Sequence, residues 1–597
     1  MSGPNPQLTE AAIRHLASPQ SFSRGQAYFR DGAVLEIERR GDLLFAQVEG
    51  SSYKPYQVTV TLDAGGIVEA DCTCPYDWGG YCKHIVAVLL TYIHRPDQVV
   101  ERRPTADLLA NLDREALVGL VEELLAAHPH LADWVEGRLA AQTDRSPAQP
   151  EAEAGPRQRR SPLDPQPFRR QVRNILRDLS RLDPSEAYWA TGEIVARIRE
   201  VMNQAGPFLA AGDGRNALVI LEAVADEYVG QWFEFDDSDG ELGALLDEMG
   251  DLFAEALLSA DLSPAERRAW ADRLTDWQED IEEYGIDQGF NVAIAAVELG
   301  WDHPSLQQAM QGHATGIWEE EEPWYADELM AVYLNALEHQ GRFQEYLNLA
   351  RAAGQTTRYL TMLVKAGRGD EAVACGLKSL TSPDEALALA QALRQHDRPH
   401  DALRIAGHGL TLPGTVGPLA HWLCDFASGL GQTALAFQAA HAAFMESPSL
   451  ADYQAVQSLA GDTWPQLKGK LLDRLARTAD TSTAVAIYLH EGLVDQAVQA
   501  VDRDRYAGYD TVEKVVDAAW QSHPEWVIRQ CRQQAEPIMD QGKSQQYHHA
   551  VRWLEKAGKA YRAAGREAEW RAYLEGLISK HIRKYSLRPQ LEALLKK

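Results

Sequence analysis

Residues 71–84 read DCTCPYDWGGYCKH and hold three of the chain's six cysteines, with a histidine two positions after the last. Cys72, Cys74, Cys82 and His84 could form a disulfide knot, a reactive thiol or a metal site. A bridge between Cys72 and Cys74, two residues apart, would be strained. Three thiolates and a neutral imidazole are instead the soft and borderline donors that zinc prefers. Cys72 and Cys74 close a predicted strand, where residues i and i+2 point the same way. The intervening PYDWGGY carries one Pro and two Gly, which let the chain reverse, and Cys82 and His84 open the helix that follows. Four protein donors leave no position for a reacting water, so the expected Zn2+ is structural, one per chain. Lys83 is placed to offset the remaining negative charge.

The elements that must position these residues fill the first hundred positions, the only stretch with strand pattern. QSFSRGQAYFRDG (20–32) predicts a short helix ending at Gly32. AVLEIERRGDLLFAQVEG predicts two strands around Arg40-Gly41-Asp42, and YQVTVTLDAGGIVEADC a second hairpin turning at Gly65-Gly66. HIVAVLLTYIH then predicts an apolar helix packed on the small sheet. Residues 105–141 predict a helical hairpin broken at Pro129. Residues 142–167 hold six prolines in 26 positions and little to bury, the composition of a flexible linker.

Beyond the linker no strand pattern occurs. From 325 onward a unit recurs in which Gly follows a large apolar residue by four and precedes Ala by five. LVKAGRGDEAV (363–373, centred on Gly367) and LEKAGKAYRAA (554–564, centred on Gly558) carry it, with looser copies at Gly341, Asp397, Gly431 and Gly492. Gly ends one helix in a tight turn, and the small Ala lets the next helix approach. The register is similar to that of tetratricopeptide repeats. The expected fold is therefore mainly α. A small α+β zinc module (1–104) and the helical hairpin (105–141) precede the linker. An acidic helical region (168–324) and a TPR-like α-solenoid (325–597) with basic C-terminal helices follow.

Net charge is −29, and it is segregated. Residues 222–328 hold 29 Asp plus Glu against three Arg and no Lys, whereas 145–181 and 541–597 are net basic. Such segregation keeps nucleic acid open as a partner despite the acidic total. Lys83, Arg157, Arg159, Arg160, Arg169, Arg170 and Arg173 are the candidate phosphate contacts beside the module. The C-terminal helices, net basic, are a second candidate surface. The acidic segment also holds Trp232, Trp270, Trp277, Trp301, Trp318 and Trp324, read as helix–helix core beneath a solvated face, with a basic peptide as the competing ligand. No apolar stretch approaches a membrane span; the longest, such as IVAVLL at 85–90, are far too short. The start lacks signal-peptide order, so a cytoplasmic location is expected, where thiols stay reduced. Cys375, Cys424 and Cys531 read as buried apolar residues.

Three further motifs weigh little. Aligning Gly240 of DDSDGE (236–241) to a calcium-loop glycine puts Phe235 and Leu246 at ligand positions, which argues against an EF-hand. GDGRNA (212–217) follows no strand and reads as a helix–helix turn. His548, His549 and His581 read as surface or packing residues. No nucleophile–base arrangement carries a local signature, and no enzymatic activity is expected.

Cys-x-Cys, a loop, then Cys-x-His before an apolar helix resembles the SWIM zinc finger. The neighbouring RGQAYFRDGAVLEIE, AQVEGSSYKPYQVTVTL and CTCPYDWGGYCKHIVAVLL carry the resemblance over residues 18–95. With the long helical C-terminal region, the chain is similar to the bacterial SWIM zinc-finger proteins. The resemblance implies a zinc module that binds DNA or protein, with ATPases of the chromatin-remodelling helicase type among the partners of some members. The expectation is a non-enzymatic adaptor that binds nucleic acid (DNA or RNA) and protein partners. The alternative is a protein-only scaffold in which zinc merely holds a small domain together.

Overall fold

The computed structural model describes residues 8–596 apart from 51–54, 64–65, 75, 77–79, 105–107, 111, 128–162, 180–183, 236, 239, 314–316, 319–322 and 505. Arg157, Arg159, Arg160, most of the Pro-rich segment and the second helix expected before residue 141 lie outside the described residues. The first helix of that pair spans Arg114–Ala127.

The N-terminal module is a five-stranded sheet in the order β4-β3-β2-β1-β5. The strands are β1 (Val34–Arg40), β2 (Leu43–Val48), β3 (Tyr56–Asp63), β4 (Gly66–Cys72) and β5 (Val100–Arg102). The first four form an antiparallel meander, and β5 runs parallel to β1. Alternation puts Val58, Val60 and Leu62 of β3 on the buried face, beside Leu44, Ala46 and Val48 of β2. The helix α3 (Lys83–His94) packs there, with α2 (Pro19–Asp31) and α1 (Glu10–His15) packed against it. Ser18 caps α2 by accepting the amide of Ser21, and Gly32 ends it in the left-handed region, φ 72°. Near its middle, Gly25 faces Val86 of α3 so closely that a Cβ would lie 2.4 Å from the valine Cγ1. Only glycine permits that helix spacing.

From Gln166 to Leu595 the described chain is helical, and its apolar side chains from Phe168 to Leu594 form one continuous core. Most helices pair with the next one across a short turn. The turns at Gly341, Gly367, Gly431 and Gly492 are left-handed, with φ of 70–76°. Asp397 takes the same conformation at φ 56°, the one such non-glycine among the described residues. In each turn the next amide donates to the carbonyl five residues back, as Arg368 does to Leu363 at 2.8 Å. The large apolar residue four before the turn therefore buries its side chain and satisfies a helix-end carbonyl.

One expected copy is displaced. Gly558 lies inside the helix Tyr547–Ala563, where a Cβ would sit 3.0 Å from the Trp570 ring. The turn falls at Gly565, φ 70°, with Arg566 donating to Tyr561. There Trp570 stands at the +5 position, and glycine on the opposing helix makes room for it. Gly212 makes the helix–helix turn expected of GDGRNA, and Asp213 caps the next helix. Asp237 of DDSDGE accepts the amides of Leu242 and Gly243, capping the helix Glu241–Ser259.

The module sits against the middle of the helical array. Arg14 of α1 donates to Gln454 at 2.8 Å. Asp63, at the end of β3, accepts Nε of Arg394 at 2.7 Å and also its terminal nitrogen. The Arg394 guanidinium lies over the Phe426 ring, 4.8 Å from its centroid. α1 and β4 both touch the helix Gly417–Gly429.

Candidate metal centre

Three donors of the centre are each placed by a separate local device. Cys72 closes β4 opposite Val58, and Thr73 continues the ladder by donating to the carbonyl of Gln57. Cys82 is the N-cap of α3, its Sγ accepting the amide of Ile85 at 3.5 Å. His84 lies on the first turn, fully buried. Its ring packs against Tyr56 at 4.5 Å and edge-on to Tyr28 at 5.4 Å. The approach to Cys82 is fixed from α1: Tyr81 bridges Ala17 and donates its amide to the carbonyl of Leu16 at 2.6 Å.

The four donor atoms lie within 4.8 Å of one another. Cys72 Sγ and Cys82 Sγ stand 3.7 and 3.8 Å from His84 Nδ1. Zinc bonds of about 2.0–2.3 Å in a tetrahedron require donor separations of about 3.3–3.8 Å, so the set closes on a zinc ion with small adjustments. Nδ1 is the metal-facing nitrogen, because Nε2 is buried on the other side with no partner among the described residues. Hydrogen bonds from the Cys72 and Cys74 thiols, then from the Ile85 and His84 amides, hold Cys82 far below the usual thiol range. The Cys72 thiol is pushed up by the same contacts and by burial. Crowded thiols that cannot all ionise alone are what a dication resolves. The residues fit one structural zinc ion per chain, held by Cys72, Cys74, Cys82 and His84 with no position left open.

The basic residues expected beside the centre meet different fates. Lys83 stands 4.8 Å over the Tyr28 ring and lines a cleft with Arg24, Tyr56 and Tyr76 against Cys74 and Cys82. Arg169 is paired with Asp226. Arg173 donates to both oxygens of Glu227, Nε at 3.1 Å. Arg170 stands on the same helix, Gln166–Leu179. The structure therefore ties Arg169 and Arg173 of this basic stretch to the acidic segment. Among the tryptophans, Trp232 and Trp277 are buried and Trp270, Trp301 and Trp318 pack partly against the core, but Trp324 is exposed. Cys424 and Cys531 are buried and Cys375 half-buried. His548 and His549 stack on each other and His581 is buried, its Nε2 3.5 Å from Asp540, and among the described residues they belong to no cluster of three or more metal-ligating groups. No helix in the described residues is long and apolar enough to cross a membrane.

Comparison with known proteins agrees with this centre. Residues 56–93 match the model of the SWIM zinc finger family. The "Zinc finger SWIM domain-containing protein 8 homolog" of Drosophila melanogaster is 34% identical over 114 residues, which is 19% of this chain and 5% of that protein. Zinc finger SWIM domain-containing protein 8 of Homo sapiens is 31% identical over 116 residues, again 19% of this chain and 6% of its own. The chain thus matches only about a twentieth of the length of these relatives. Among solved structures, the TPR domain of P58(IPK) aligns over 71% of this chain and 96% of its own, with 12% identity and a TM-score of 0.14. Strand-end thiols, a capping thiolate and a first-turn imidazole, in a segment matching the family model, make residues 56–93 a SWIM zinc finger.

Proposed function

We propose that the protein is a non-enzymatic adaptor in which a structural zinc module and a helical-repeat scaffold each present a binding surface. The observation that carries this is the closed donor set at the head of a long helical array: the metal site leaves no position for substrate, and the array offers extended surface for partners. Nucleic acid is the proposed ligand of the basic surfaces: Lys83 and Arg24 beside the zinc centre, Arg157, Arg159 and Arg160, and the C-terminal helices. Protein partners, an ATPase of the chromatin-remodelling type included, would take the array. A cytoplasmic location and the absence of catalysis belong to the same reading.

The ion pairs of Arg169 and Arg173 favour the second reading, a protein-only scaffold, because a phosphate would have to displace carboxylates already in place. Titration of full-length protein with single- and double-stranded DNA and RNA separates the two. The adaptor reading expects log affinity to fall linearly with log salt, by about one unit of slope per phosphate neutralised. No salt-dependent binding at low ionic strength leaves the protein-only scaffold. Affinity capture with and without nuclease treatment tests the same division in lysate.

A further inference from the structure

The helix Pro264–Glu282 ends in an uncompensated negative pole. Glu279, Asp280 and Glu282 occupy its last turn, Glu283 follows, and no basic residue stands there. The helix dipole adds its own negative end at this point, where a cation is the stabilising neighbour. Among the described residues no ion pair reaches these four carboxylates, and the neutral Gln278 side chain donates to Glu282 at 2.9 Å. Beside them Phe233 and Tyr284 stack face to face, 4.4 Å between centroids and 11° between planes. Both rings are solvent-facing, 38% and 50% exposed, and Trp232 is buried with its ring 6.0 Å from that of Tyr284.

The molecule meets the same chemistry elsewhere with arginine. The helix Gly214–Tyr228 also ends in acids without a base of its own. There Arg169 and Arg273 pair with Asp226, Arg273 reaches Glu222, and Arg173 takes Glu227. The Arg273 guanidinium also lies 4.9 Å from the centroid of Trp277. Carboxylates around an aromatic face thus already hold one arginine in this fold.

We propose that the Phe233–Tyr284 face docks an extended, arginine-rich segment of a protein partner. A planar, weakly hydrated guanidinium stacks on exposed rings while its edge donates to carboxylates, which a lysine ammonium cannot do equally well. The surrounding segment, 29 acids against three bases over 222–328, supplies the long-range attraction. This names the chemistry of one protein partner and rests on the adaptor reading.

The test is fluorescence anisotropy of full-length protein with a labelled peptide of alternating Arg and Gly, and with its Lys counterpart. It is run at about 150 mM salt, where screening suppresses distant charge. The arginine peptide binds more tightly than the lysine one. Phe233→Ala with Tyr284→Ala brings the two together, a loss of about 2–5-fold per ring. Glu282→Gln with Glu283→Gln weakens both peptides. Tyr284→Leu, which keeps apolar cover, loses the arginine preference in the same way and guards against misfolding. Equal affinity for the two peptides, no binding, or indifference to the aromatic changes overturns the proposal. So does binding that emerges only after deletion of residues 145–162, since the chain's own arginines would then be the occupant. Zinc content and nucleic-acid titration read the adaptor itself and do not move with these outcomes.

Discussion

The amide of Tyr81 donates to the carbonyl of Leu16 across 2.6 Å, one residue before a zinc ligand and one residue after α1. Through this bond the metal loop holds the helix whose Arg14 reaches Gln454 of the helical array. Gly80 packs on the same carbonyl so tightly that a Cβ there would approach it to 2.8 Å. Metal, loop, α1 and scaffold are therefore one mechanical series.

Zinc loss should undo that series from its first link. Cys82→Ser removes a zinc ligand, while the serine hydroxyl can still accept the amide at the start of α3. Zinc measured by mass spectrometry should fall from one per chain to none, and hydrogen exchange should rise across residues 10–95 and at the contact helix Leu450–Ala460. Bulk helical circular dichroism should survive, because the array has its own core. Purified wild-type protein without stoichiometric zinc would refute the centre.

Asp63 and Arg394 offer a second handle on the same interface. Arg394 is 11% exposed and Asp63 38%, so the pair is partly shielded and doubly hydrogen-bonded. A double-mutant cycle with Asp63→Asn and Arg394→Gln should return a coupling of about 1 kcal/mol. A value near zero would mean that the module is held by α1 and β4 alone. A chain beginning at Pro167 should remain soluble and helical, with faster exchange in Gly417–Gly429, the helix left uncovered.

Gly25→Ala and Gly32→Ala should fail for different reasons. At Gly25 the new methyl meets Val86 and the Lys83 carbonyl, so α2 and α3 must part; the expected cost is about 1–3 kcal/mol. Because α3 begins with two ligands, zinc affinity should fall with it. Gly32 has open space but a left-handed backbone, so alanine there should cost about 1 kcal/mol and leave zinc affinity intact. Equal zinc affinity in both variants would sever packing from metal binding.

His339 supplies a pH signature. Its ring bonds to the buried Glu255 at 2.6 Å, and that hydrogen bond raises its pKa above 6.5 against the opposing pull of burial. The folded protein then holds a proton that the unfolded chain releases. Stability from the pair is full below 6.5 and is lost as pH rises through the raised folded value. Melting curves between pH 6 and 8.5 should show a modest decline that His339→Gln flattens. An identical profile in the variant would remove the assignment.

What the sequence made legible was whatever spacing alone encodes. The four ligands fall within thirteen residues, the hairpins alternate with period two, and Gly341, Gly367, Gly431 and Gly492 mark their turns. Gly558 misled because a small residue under an aromatic ring in a helix resembles a turn glycine in one dimension. A better mark was available at Gly565. GRFQE (341–345), GRGDE (367–371), DRPHD (397–401) and GREAE (565–569) each put an arginine after the turn and an acid three residues later. The structure joins them as ion pairs in every case. Docking of the module on the array was not legible, since Asp63 and Arg394 are 331 positions apart and neither sits in a pattern. The pairing of Arg169 and Arg173 with Asp226 and Glu227 was hidden likewise: opposite net charges of two segments do not say that the segments touch.

The distance along the chain between the module and its docking helices also sets an order of events during synthesis. The ribosome completes the zinc module by residue 102, Arg394 follows some 290 residues later, and the helix Leu450–Ala460 emerges only some 350 residues later. At about 5–20 residues per second, that interval is roughly 20–70 s. For that time the nascent module must hold its fold by its own small core and its metal, with Arg14 and Asp63 facing water. Zinc supply during translation, rather than after release, thus decides whether the array closes on a finished module or on an unfolded one.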